Sequence, residues 1–293
     1  MKSRYFLLGS FLLGLLFFSS CKESREEQIA RMVEEWSGKE IRFPEKPVFT
    51  IQCTDTVGAP AVGAPYKVLV YVDSVGCMSC RLQLPKWKEL MATTDSLAAG
   101  KVAFLFYIYP KDLREMRYVL RRDAFRHPVC IDTADSLNAL NHFPSEDTFH
   151  TFLLGADNRV LAIGNPARNP KVKDLYLSLV TGRKQAAPSV TTTVSLDHAV
   201  VELGTFSWSE VKTDSLFITN TGDRPFVIHD VVTNCGCLQA KFSKEPVRPG
   251  ERMKLNVIYR ADNPGTVDKL LQIYGNVEGE KLDVRVKGEA RKE

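Results

Sequence analysis

Residues 66–85 read YKVLVYVDSVGCMSCRLQLP. An apolar run, Tyr66 to Val72, leads to two cysteines three apart, Cys77 and Cys80, and then to Pro85. The run has the length and β-branched content of a strand buried on both faces. Beyond it, Leu84, Trp87, Leu90 and Met91 fall on one side of a helix expected from Arg81 to about Thr94. A strand that enters a helix through Cys-x-x-Cys gives the first cysteine a particular setting. The positive end of the helix favours its thiolate, and the second cysteine, one turn on, can resolve a mixed disulfide.

The same alternation continues on both sides. Val102–Tyr109 (VAFLFYIY) reads as a second buried strand. Asp112–Arg122 reads as a helix, with Leu113, Met116, Val119 and Leu120 at helical spacing. His127–Ile131 is a short strand, and Thr151–Gly155 and Val160–Gly164 form a hairpin around ADN. Val172–Leu179 closes with a helix. Buried strands alternating with helices indicate an α/β sheet, here placed at residues 43–181. With Pro85 eight residues after Cys77, where thioredoxins carry a helix-kinking proline, the segment resembles a thioredoxin-like domain of the exported TlpA/ResA type. The resemblance implies thiol-disulfide exchange, with Cys77 attacking and Cys80 resolving.

This sequence departs from that pattern at three places. Gly76 stands where the family usually has Trp, and Tyr71 stands at the buried acid, with Asp73 two residues on and expected on the same strand face. Where the family reads Pro-Thr-Thr-Phe-Leu-Ile-Asp, this chain reads FHTFLLGADN, so Phe149, followed by His150, occupies the cis-proline position. A non-proline cis bond costs about 3 kcal/mol, so Phe149 is expected trans and its loop rebuilt. Two other readings of the dithiol compete with exchange. One is a structural disulfide without turnover. The other is a Cu(I) or zinc site shared with His127, His142 or His150, although these histidines follow no ligand spacing. Cys130, in HPVCID, reads as a small buried residue. Cys53, in FTIQCTD, has no assigned partner, and the two would pair only if strands bring them together.

The N-terminus bears on compartment. Lys2 and Arg4 precede an apolar run from Phe6 to Phe18, followed by Ser19-Ser20-Cys21. That run is short for a membrane span and suits a signal peptide over residues 1–20. Small residues before a cysteine resemble a bacterial lipobox, with Phe18 where Leu is usual. Cys21 is then expected to be lipidated and to anchor the chain; an uncleaved signal anchor is the alternative. Lys22, rather than Asp, resembles outer-membrane sorting. The expected location is the cell envelope, lipid-anchored at the outer membrane and facing the periplasm, where disulfides persist. Of seven cysteines, six remain beyond Cys21. Residues 21–42 read as a spacer with an amphipathic helix carrying Ile29, Met32, Val33 and Trp36. Lys and Arg total 39 against 35 Asp and Glu, with no basic run among aromatics, so nucleic acid is not an expected partner.

After a small, polar, Pro-containing linker at residues 182–192 the pattern changes. Seven short strands follow, at Val200–Leu203, Asp214–Thr219, Phe226–Val232, Leu238–Phe242, Arg252–Tyr259, Thr266–Tyr274 and Lys281–Lys287. They are separated by turns such as NTGDRP, RPGE and DNPG. The spacing indicates a β-sandwich over residues 193–293. VVTNCGCLQAKF brings Cys235 and Cys237 around Gly236. In a flat strand two such cysteines lie too far apart to bond, so a disulfide needs a turn; two free thiols or half a metal site are the alternatives. With VRPGERMKLNVIY after it, the segment resembles the DUF1573 family over about residues 193–290, which implies an immunoglobulin-like sandwich of the Hydin and pilus-chaperone class and no established activity. Arg81 follows Cys80 where a c-type haem motif needs His, and no cofactor is expected. The expected whole is a thioredoxin-like α/β domain followed by an immunoglobulin-like sandwich. It would act on exported thiol or disulfide proteins as an oxidoreductase, or serve as a non-catalytic envelope binding or assembly protein.

Overall fold

The computed structural model describes residues 24–60, 63–183, 191–279 and 281–292. The expected signal peptide, Cys21 and most of the linker lie outside them. The chain falls into two compact units, Met1–Trp36 and Ser37–Glu293. In the first, α1 (Arg25–Trp36) begins at a reciprocal cap: Ser24 N donates to Glu27 Oε2 at 2.7 Å and Glu27 N donates to Ser24 Oγ at 3.2 Å. No helix among the described residues is long and apolar enough to cross a membrane.

The second unit begins with an α/β part. Its elements are β1 (Phe49–Ile51), β2 (Asp55–Val57), β3 (Tyr66–Val72), α2 (Met78–Leu82), α3 (Leu84–Ala98), β4 (Val102–Ile108), α4 (Leu113–Arg122), β5 (Val129–Ile131), α5 (Ser136–Asn141), β6 (Thr151–Leu154), β7 (Val160–Ile163) and α6 (Pro170–Thr181). They form a seven-stranded sheet in the order β2-β1-β5-β4-β3-β6-β7. β3, β4 and β5 are parallel, whereas β6 runs antiparallel to β3 and β7 antiparallel to β6. This is a thioredoxin-like arrangement, and it delivers the dithiol from the end of a central strand. Because β3 and β4 are covered on both faces, their residues are buried almost without interruption. Trp87, Phe106 and Phe125 meet edge to face in the main core, with ring centroids 5.5 Å and 5.2 Å apart.

The single helix expected after the dithiol is in fact two. Gln83 takes a left-handed backbone, φ 45°, between α2 and α3. Pro85 then sits in the first turn of α3, where its missing N–H costs no helical hydrogen bond.

The all-β part holds β8 (Val194–Leu196), β9 (Val200–Ser207), β10 (Val211–Asn220), β11 (Ile228–Thr233), β12 (Leu238–Lys241), β13 (Arg252–Arg260), β14 (Gly265–Gly275) and β15 (Lys281–Arg291). Two four-stranded sheets result, β12-β13-β10-β8 and β11-β14-β15-β9. On β13, Met253, Leu255, Val257 and Tyr259 alternate inward, the period-two signature of a sandwich strand. This is the immunoglobulin-like sandwich. The NTGDRP turn is pinned by buried Asn220, whose Nδ2 donates to Arg224 O at 2.7 Å and Val247 O at 2.8 Å. Thr192, assigned to the linker from its composition, is buried, and its N–H donates to Asn276 O at 2.8 Å, so the sandwich already holds the chain there.

Candidate functional site

The dithiol lies just past β3. Gly76 adopts φ 83°, a backbone that a side-chain-bearing residue rarely takes, which accounts for glycine where the family has Trp. Cys77 caps α2: its own backbone is extended, and its Sγ accepts the Cys80 N–H at 3.2 Å. Cys77 is exposed, Cys80 is half-buried, and both are free thiols. A hydrogen bond from the Cys80 side chain lowers the Cys77 pKa to about 6. Burial opposes this shift, and the Cys80 N–H and Lys269 add to it. The same thiol-thiol hydrogen bond, together with burial, pushes the Cys80 pKa far up. The pair is therefore asymmetric: one thiol is ready to attack and the other holds its proton.

Charged side chains brace the dithiol from behind. Arg81 pairs with Asp73, reaches Asp147 at 3.6 Å and lies 3.4 Å from His150 Nδ1. Arg168 donates to Asp147 Oδ2 at 2.9 Å and to Cys80 O at 3.1 Å. Asp73 does not share a strand face with Tyr71, because β3 ends at Val72. The Tyr71 hydroxyl instead donates to Asp135 Oδ1 at 2.6 Å, and burial followed by Asp135 raises its pKa strongly. Tyr71 therefore supplies no carboxyl, and the carboxyl of Asp73 is paired with Arg81.

The loop at the family's cis-proline position is rebuilt. Phe149 closes a short 3-10 turn, Asp147–Phe149, with its N–H donating to Glu146 O at 3.1 Å. No cis peptide bond occurs among the described residues. His150 is buried, which lowers its pKa, and its Nε2 lies 2.6 Å from Pro144 O. His127 is half-buried with the same consequence, and its Nε2 lies 2.8 Å from Phe104 O. His142 caps α5. Among the described residues no three His, Cys, Asp or Glu side chains are grouped to hold a metal. Cys53 and Cys130 do not pair. Cys53 turns the chain after β1 at φ 58°, while Cys130 lies on β5 opposite Phe49 and Tyr107, and burial pushes its thiol up to about 12.

The feature that sequence reasoning missed is the cover over the dithiol. Between β11 and β12 the chain crosses from one sheet to the other, and this corner supplies the turn that Cys235 and Cys237 need. They form a disulfide with Cα atoms 5.3 Å apart. Thr233 Oγ1 braces the corner, donating to Cys235 O at 2.8 Å. The corner sits against α2: Gly236 N donates to Ser79 O at 3.3 Å. Polar contacts surround this meeting point. Gln83 Nε2 donates to Thr233 O at 2.7 Å, and Lys86 Nζ lies 2.7 Å from Asp230 Oδ1. Lys173 holds the other oxygen of Asp230. Burial alone would raise the Asp230 pKa, but the two lysines outweigh it and hold it low. Arg122 reaches Asp262 and donates to Ser79 Oγ at 2.9 Å. Clefts of about 520 and 380 Å³ flank Gly236, the larger lined by Cys235 and the smaller by Cys237.

Residues 194–290 match the family model described as a protein of unknown function, DUF1573. None of the curated proteins matches the chain. Among solved structures, a protein of unknown function from Porphyromonas gingivalis W83 is 18% identical with a TM-score of 0.31; the match covers 36% of this chain and 49% of that one. This chain thus spans about half the length of that protein. A thiol-disulfide oxidoreductase from Bacteroides fragilis NCTC 9343 is 14% identical over 47% of this chain and 99% of its own, with a TM-score of 0.36. A cysteine variant of peroxiredoxin Q from Xanthomonas campestris is 11% identical over 50% and 98%, with a TM-score of 0.37. Likeness this slight says nothing of activity.

Proposed function

We propose that this protein is a thiol-disulfide oxidoreductase of the cell envelope, acting on exported thiol or disulfide proteins, with Cys77 as attacking thiolate and Cys80 as resolving thiol. The observation that carries the reading is the asymmetry of the pair: Cys77 is exposed, caps α2 and has its pKa lowered to about 6, whereas Cys80 is held protonated beside it. A thiolate at neutral pH with a resolving thiol in contact is what disulfide exchange requires. The test is Cys80→Ser. Without its resolving thiol, Cys77 should accumulate mixed disulfides with exported proteins, visible as reductant-sensitive adducts on a gel and identifiable by mass spectrometry. A variant whose Cys77 is captured neither by an exported protein nor by another cysteine of its own chain would remove the exchange reading.

One observation favours the second reading, a binding or assembly protein without turnover: the sandwich covers part of the dithiol face, through Gly236, Arg122 and Gln83. Cys80→Ser separates the two readings, because an assembly protein has no mixed disulfides to trap.

The N-terminal sequence supports attachment through a lipid on Cys21, at the outer membrane facing the periplasm. Metabolic acyl labelling should mark the wild-type chain, and Cys21→Ala should lose both the label and membrane association. An unlabelled wild type would end that part of the proposal.

A further inference from the structure

We propose that the Cys77–Cys80 pair exchanges with the chain's own Cys235–Cys237 disulfide, so that the sandwich is the second station of an internal relay. The inference rests on the exchange reading above and names one partner for that dithiol, a disulfide carried in the same chain.

Placement is the first argument. Ser79 adjoins Cys80, Gly236 lies between Cys235 and Cys237, and the two backbones are hydrogen-bonded to each other at 3.3 Å. The approach depends on glycine. A Cβ on Gly236 would stand 3.1 Å from Ser79 O and 3.5 Å from both Ser79 Oγ and Arg122 Nη2. Cys80 packs against the apolar core that contains Cys235 and Cys237. Two sandwich side chains, Lys269 and Asp262, act electrostatically on both thiols of the dithiol.

The second argument concerns what this disulfide is for. Disulfide stabilisation grows with the length of loop closed, and a bond across one residue closes almost none. Cys235 is 0% exposed and Cys237 6%, so solution thiols have poor access to either sulfur. A bond of little structural use, shielded from solution and set against a dithiol, suits exchange with that dithiol.

The chemistry balances without an outside reagent. The Cys77 thiolate attacks one sulfur of Cys235–Cys237; that bond breaks, a mixed disulfide forms, and the displaced sulfur leaves as a thiolate. Cys80 gives its proton to this thiolate and attacks Cys77 Sγ. The mixed disulfide breaks, Cys77–Cys80 forms, and the second sandwich sulfur leaves as a thiolate. Two electrons and one proton pass from one pair to the other, and one disulfide replaces another.

The experiment uses the full chain. In Cys80→Ser, acid quenching followed by maleimide labelling should yield a non-reduced peptide joining Cys77 to Cys235 or Cys237, with the remaining sandwich cysteine labelled. In an otherwise wild-type background, Cys77→Ser should slow reduction of Cys235–Cys237 by dithiothreitol by about tenfold or more, since the buried disulfide then lacks its adjacent thiolate. The wild type, given one equivalent of dithiothreitol, guards against a misfolded variant: its label should pass between the two cysteine pairs at a rate independent of protein concentration. No internal cross-link and no migration, while Cys77 still cleaves a small aromatic disulfide, would overturn the relay and leave the exchange reading intact. A Cys77 that attacks neither would remove both.

Discussion

Cys77→Ser is expected to abolish exchange with a disulfide substrate, and wild-type exchange is expected to reach half its maximal rate near pH 6. Both follow from the same geometry. The attacking species is the thiolate, and an ordinary thiol holds only about 3% of it at neutral pH. Cys77 differs because its Sγ receives hydrogen bonds from the Cys80 side chain and, at 3.2 Å, from the Cys80 N–H, which bring its pKa to about 6 against the cost of burial. The sign is that of an acid whose charged form is favoured: the rate rises as pH climbs through the lowered value and is flat above it. Serine keeps the cap but has no accessible anion, so the fold should survive while the reaction is lost. Cys80→Ala should move the pH midpoint upward, because the largest cause of the lowering is the hydrogen bond from the Cys80 side chain, which alanine cannot make. Iodoacetamide labelling of Cys77 across pH 4–10, read by peptide mass, measures the midpoint directly. A midpoint between 8 and 9 would mean that the cap does not activate the thiol.

What the sequence made legible follows from what is local. β3, β4 and the apolar face of α4 announce themselves through unbroken or periodic hydrophobic runs, and the dithiol follows from its place between strand and helix. β1 and β2 did not, because each is three residues long and their turn runs through Gln52 and Cys53, both at positive φ without a glycine to mark it. The break at Gln83 hid for the same reason. α5 and β8 are too short to show a period. At the site, Cys77, Cys80, Cys235 and Cys237 were visible as residues, but the meeting of the two pairs was not. Ser79 and Gly236 touch across about half of the chain, and Arg122, Asp230 and Asp262 look like ordinary surface charges until the sandwich is set against α2. Contacts of that kind leave no spacing to read.

Arg122 ties the sandwich to α2, and Arg122→Ala is expected to cost about 3–5 kcal/mol of unfolding free energy. Its guanidinium is nearly buried, at 4% exposure, and so is its neighbour Asp123, at 6%. Three contacts run from it: to Asp123 at 2.8 Å, to Asp262 of the sandwich, and to Ser79 Oγ at 2.9 Å beside the dithiol. Burial works against its charge, but Asp123 and Asp262 more than offset this and raise its pKa. Removing it leaves Asp123 buried without its cation and Asp262 without its partner, the situation in which breaking a pair costs far more than the pair itself contributes. Arg122→Lys should recover only part of the loss, since a single ammonium cannot serve three acceptors that a planar fork reaches at once. The double variant Arg122→Met/Asp262→Leu should be more stable than Arg122→Ala, because it removes one of the stranded charges. A second readout ties the stability to the site. With the sandwich loosened from α2, Cys80 should lose its cover and alkylate faster, while Cys77, already exposed, should change little. Urea unfolding of the reduced chain and peptide-resolved alkylation give both quantities. A loss of no more than about 0.5 kcal/mol, the range of a surface substitution, would show that the sandwich is held against the dithiol without Arg122, by its other polar and apolar contacts.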